Sequence, residues 1–131
     1  MSQENVEIVR ASFEAWNPGD MDALRDLYHE DAVTRGLDNW PEAGPNVGRE
    51  AVMRQYARMR ESVDTDSVEV QAEPVDIRDR VAVRMSWRAL GRGPELNMEV
   101  TAVFTVRDRR IQSVDFFWDH AEALEAVGLR E

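Results

Sequence analysis

Apolar residues recur every three or four positions through the first half of the chain and every two positions through much of the second. Val6, Val9, Phe13 and Trp16 have the helical spacing, and Glu4 and Glu7 sit where the positive end of a helix dipole favours carboxylates, which predicts a first helix over residues 2–16. Asn17-Pro18-Gly19 ends it, because the residue before a proline avoids the α region and glycine permits reversal. Asp20 can cap a short second helix that directs Leu24, Leu27 and Tyr28 to the core and ends near His29. Residues 31–34 read as a brief strand, followed by a turn-rich loop carrying Trp40. Val52, Tyr56, Met59 and Val63 mark a third helix beginning near Gly48.

The period then changes to two. Val68, Val70 and Ala72 alternate with polar residues in a strand ending at Pro74, and Val81, Val83, Met85, Trp87 and Ala89 form one face of the next. A longer strand places Leu96, Met98, Val100, Ala102, Phe104 and Val106 together, and a last one Val114, Phe116 and Trp118. Four strands at hairpin spacing predict an antiparallel sheet. A closing helix follows, with Asp119 and Glu122 at capping-box spacing, an apolar stripe of Ala121, Leu124 and Val127, and Gly128 at the C-cap.

At 131 residues the chain is the size of one domain, so 1–131 is read as a single unit with its own core. Its 43% hydrophobic and 32% charged residues are those of an ordinary globular protein, and no apolar run approaches the ~20 residues needed to cross a bilayer. The opening MSQENVEIVR lacks the basic and apolar regions of a secretory signal, which points to the cytoplasm. With no cysteine, thiolate chemistry and cysteine-ligated metals are excluded. A net charge of −10 opposes nucleic acid and anionic membranes as partners. Arg49, Arg54, Arg58 and Arg60 then read as the solvated face of the third helix.

Several stretches resemble the NTF2-like superfamily, in particular its SnoaL-like and ketosteroid-isomerase-like members. They are Asn17-Pro18-Gly19-Asp20, residues 27–33, Gly48-Arg49-Glu50-Ala51-Val52, residues 104–108 and the ending 117–129. The resemblance spans almost the whole chain. It implies a cone-shaped α+β fold, also called cystatin-like, with three N-terminal helices packed on a curved antiparallel sheet and a short C-terminal helix. Ketosteroid isomerases of this type use a carboxylate base after the first strand, with a tyrosine and a protonated aspartic acid as oxyanion donors. Aligning Asp20, Tyr28 and Asp31 puts Gly36 at the base and Ser12 at the tyrosine, and the sheet puts Ala102 at the second acid. All three groups are missing, so that reaction is not expected. The Arg-x-Asp pattern of the superfamily's epoxide hydrolases is also absent from the inner strand faces.

The resemblance places the loop with Arg35, Asp38, Trp40 and Glu42 at the open end of the cone. Asp38, two residues past the base position, is the first candidate catalytic group, since a carboxylate facing an apolar pocket can be tuned for proton transfer. His120 is the second, emerging beside Trp118. Arg35 and Trp40 are candidate substrate contacts, and Tyr56, Trp87, Phe104 and Trp118 candidate walls, Trp118 by strand parity and by its match to a pocket aromatic of the isomerases. Trp16 and Tyr56 are also required in the core by helical spacing. His29 is read as interacting with a helix C-terminus, and neither a metal nor a cofactor is expected. Glu99 and Asp115 have outward parity. The expected function is a pocket protein for a small apolar or aromatic metabolite, acting as an isomerase, cyclase or dehydratase; the alternative is a non-catalytic binding or dimerisation module. A homodimer through the outer sheet face is expected from Val103, Thr105, Ile111 and Phe117.

Overall fold

The computed structural model describes residues 2–36, 45–91, 93–126 and 128. Helix α1 (Ser2–Trp16) buries Val6, Val9, Ala15 and Trp16. The Asn17–Gly19 reversal follows, with Gly19 at a φ of +83° that a side chain would strain. Helix α2 (Met21–Asp26) is capped by Asp20, whose carboxylate accepts from the Ala23 amide at 3.1 Å. It is shorter than the apolar spacing predicts. Strand β1 (Tyr28–Arg35) already begins at Tyr28, since the buried positions Tyr28, Ala32 and Thr34 belong to extended backbone. His29 is therefore a strand residue, its Nδ1 accepting from the Asp31 amide at 3.0 Å, and the helix-dipole account of it is withdrawn.

A two-residue strand β2 (Asn46–Val47) precedes helix α3 (Arg49–Glu61), which starts after Gly48 at a φ of +94°. Strands β3 (Thr65–Val70), β4 (Val75–Ile77), β5 (Arg80–Leu90), β6 (Leu96–Arg107) and β7 (Arg110–Phe117) then lead to helix α4 (His120–Ala126). The order β2-β1-β7-β6-β5-β3, with β4 also on β5, makes one curved, unclosed sheet. It is not wholly antiparallel, because β1 lies parallel to β7. The β6–β7 hairpin turns on Asp108 and Arg109, both at positive φ as a two-residue type I′ turn requires.

One irregularity redirects the last strand. Val106 pairs with Ile111 and Thr105 with Ser113, so Gln112 is an extra residue in β7. Ile111, outward by simple alternation, turns inward and is fully buried with Val114 in the main core. The outer face is partly covered within the chain, where Ala123 of α4 packs with Ala82 and Val103. Among the described residues the α4 stripe is thus carried by Ala123 and Leu124, and Ala121 is exposed; Val127 lies outside the described residues. Asp119 accepts from the Ala121 amide at 2.9 Å, and Gly128 ends the segment at a φ of +92°.

Candidate functional site

The helices and the inner sheet face do not meet completely. Between them is a cavity of about 110 Å³. Alternation along the strands supplies one wall, with Val68 of β3, Met85 and Trp87 of β5, Met98, Val100 and Phe104 of β6, and Phe116 of β7. Helical spacing supplies the other, with Ser12, Phe13 and Trp16 of α1, Leu24 of α2, and Gln55, Tyr56 and Met59 of α3. Tyr28 and Gly36, at and just past the two ends of β1, complete it. The aromatic rings meet edge to face, Trp16 with Tyr56 at 5.4 Å, Tyr56 with Tyr28 at 5.9 Å, and Phe13 with Phe104 at 5.7 Å. Such contacts hold ring planes as well as ring positions.

The cavity has few polar side chains, and each takes part in at least one hydrogen bond within the chain. The Tyr28 and Tyr56 hydroxyls are hydrogen-bonded at 3.0 Å. Burial and the neighbouring tyrosine push the Tyr28 hydroxyl well above its usual pKa, and burial raises that of Tyr56 to about 12. Both are neutral donors at physiological pH. Gln55 Oε1 accepts from the Asn46 amide group at 2.8 Å and from the Thr34 hydroxyl at 3.2 Å, and the Ser12 hydroxyl donates to its own helix at the Val9 carbonyl. The described lining contains no carboxylate, histidine or arginine. Behind it lies Asp66, its side chain only 3% exposed, which accepts the indole N–H groups of both Trp16 and Trp87.

The family model for the SnoaL-like domain matches residues 9–114, most of the chain. This chain belongs to the SnoaL-like domain family. The SnoaL-like chain shares its NTF2-like fold with solved structures. Bal32a, from a soil-derived mobile gene cassette, superposes with a TM-score of 0.81 at 26% identity over 88% of each chain. An NTF2-like protein of Burkholderia pseudomallei gives 0.78 at 17% identity, covering 96% of this chain and 98% of its own. An LEH-like epoxide hydrolase of M. tuberculosis gives 0.77 at 17% identity over 96% and 90%. At the lower identities the likeness speaks for fold alone. No curated protein shows a significant match.

The three positions that the resemblance aligned with isomerase groups are all among the described residues. Gly36 and Ser12 line the cavity, and Ala102 is fully buried on the inner face. Tyr56, Trp87 and Phe104 also line it. Trp118 does not belong to the lining and is 50% exposed. Strand β7 ends at Phe117, so the alternation that pointed Trp118 inward no longer governs it. His120 lies away from the cavity too, its Nδ1 2.9 Å from the hydroxyl of Thr101, which has outward parity on β6. Arg35 is exposed on the sheet, paired with Asp115 at 2.9 Å rather than set into the lining. Asp38, Trp40 and Glu42 lie outside the described residues.

Ser12, Gln55, Met59, Met98 and Phe116 also line the cavity and were not among the candidate walls, although Met59, Met98 and Phe116 lie on the apolar faces that the spacing defines. Asp66 also had a signal. It stands two positions before Val68 and thus on the same strand face, a carboxylate in an apolar register.

Proposed function

We propose that the chain binds a small, uncharged and largely aromatic molecule in this cavity, with a carbonyl or hydroxyl oxygen of that molecule held by the Tyr28–Tyr56 pair. A count of hydrogens carries the reading. Two hydroxyls bring two O–H donors, one is used between the rings, and the other has no protein acceptor among the described residues. A buried donor left unmade costs ~1–3 kcal/mol, so a ligand oxygen is the natural complement. The described lining carries no charge, which argues against an ionic ligand, because burying an unpaired charge there would be far more costly. At about 110 Å³ the space is somewhat below the ~150 Å³ of an apolar cavity that accommodates benzene, which limits the enclosed part of the ligand to about one ring.

Catalysis is the second reading, as an isomerase, cyclase or dehydratase in which the tyrosine pair polarises a carbonyl and Asp38 moves the proton. The observation behind it is Gly36. It lines the cavity, and Asp38 follows by two residues, a chain span of at most ~7 Å. A second copy of the chain as partner belongs to the same proposal.

Isothermal titration with acetophenone and with ethylbenzene tests the binding reading, since the two differ mainly in the carbonyl oxygen. The expected result is binding of both, with the ketone favoured roughly fivefold through one hydrogen bond. No binding of either withdraws the ligand reading. Equal binding withdraws the role of the tyrosines.

A further inference from the structure

We infer that Asp66 is a positioning residue for the cavity, fixing the planes of the two tryptophan walls and through them which flat ligands fit. This rests on the cavity being a ligand site. Trp16 comes from the end of α1 and Trp87 from the middle of β5, two elements on opposite sides of the cavity. Their indole N–H groups nevertheless converge on one atom, each donating to Asp66 Oδ2 at 2.7 Å. An indole that must keep its N–H on a fixed acceptor cannot rotate about its side-chain bonds without losing that bond, so both ring faces are set. The carboxylate is almost sealed from water, which excludes solvent as a substitute acceptor.

The carboxylate is itself held. Arg60 of α3 places Nη1 3.4 Å from Asp66 Oδ1, donates from the same nitrogen to the Trp16 carbonyl at 2.7 Å, and lays its guanidinium 4.7 Å from the centre of the Trp16 ring. A Cβ at Gly19 would come 3.2 Å from the Arg60 guanidinium, so the α1–α2 reversal lies directly against this residue. Four elements therefore meet at one buried charge whose inward product is the orientation of two cavity walls. Holding a residue in place by networked hydrogen bonds is how protein sites achieve geometric selectivity.

Asp66→Ala, made in the native chain and in a Trp16→Phe/Trp87→Phe background that lacks both indole donors, tests the assignment. Two readouts are used, the indole resonances of Trp16 and Trp87 in ¹H–¹⁵N spectra and the acetophenone dissociation constant. In the native background both resonances are expected to shift, and acetophenone to bind about tenfold more weakly. In the phenylalanine background the same substitution is expected to cost less than about twofold, since there is no indole left to aim. If Asp66→Ala does not fold, Asp66→Asn takes its place in both backgrounds; it keeps a carbonyl oxygen but sets an amide against Arg60, and the same resonance shifts and background dependence are expected. Unmoved indole resonances, or an equal cost in both backgrounds, would reduce Asp66 to a tether for Arg60 and overturn the inference. Should the wild-type chain bind no acetophenone, the ligand reading falls alone, and the indole resonances still decide the role of Asp66.

Discussion

The two tyrosines of the cavity can be isolated by pH because of what the rest of the chain lacks. All 16 basic residues are arginine, cysteine is absent, and Tyr28 and Tyr56 are the only tyrosines. Between pH ~9 and ~12 no other side chain titrates appreciably. Burial raises both hydroxyls above the usual value of 10.0, so their neutral forms are favoured in the folded state. Their stabilising contribution is complete below pH 10 and is lost as pH climbs toward the folded value of about 12 for Tyr56. Urea unfolding should show a loss of about 1 kcal/mol per tyrosine between pH 9 and 11, and Tyr28→Phe/Tyr56→Phe should flatten that loss. A decline that persists in the double variant would assign it elsewhere. The individual wall residues were partly legible beforehand, because Tyr56, Trp87 and Phe104 lie on regular faces. Their partners were not, since neither Tyr28–Tyr56 nor Asp66 with its two indoles follows a spacing rule; each joins residues brought together only by the fold.

At the scale of elements, local signals held where chemistry is local and failed where pairing decides. The Asp20 cap was readable because a side-chain oxygen ahead of a helix has one evident partner, and Ala23 supplies it. Asp20→Ala should lower stability by about 1 kcal/mol in thermal or urea unfolding, with little change in cavity binding. An unchanged unfolding midpoint would mean that packing of Leu24 alone holds α2. The start of β1 was hidden for the opposite reason. Tyr28 has the right spacing to extend α2, and only its pairing opposite Ile111 makes it a strand residue. The same holds for Gln112, where one inserted residue inverted the face of Ile111 without any mark in the alternation.

For the whole molecule, cover over the outer sheet face bears on assembly. Helix α4 covers Ala82 and Val103, and Ile111 faces inward, so the apolar patch that suggested a second copy is smaller than alternation implied. Exposed Arg84, Arg88 and Glu99 remain on strands β5 and β6, and Arg84 has no ion pair among the described residues. A two-fold contact over this face repeats each group on both sides and can set Arg84 of one copy against Glu99 of the other. Association by that route is governed by charge placement more than by apolar area, and must outweigh repulsion between two chains of net charge −10. Sedimentation equilibrium is expected to give twice the 15.0 kDa chain mass, with Arg84→Glu shifting the equilibrium toward monomer and Arg84→Glu/Glu99→Arg restoring the dimer. A monomer mass at every concentration removes the second copy from the proposal; a dimer indifferent to both charge changes moves the contact to another surface, where the half-exposed Leu90, Leu96 and Trp118 are the next side chains to test.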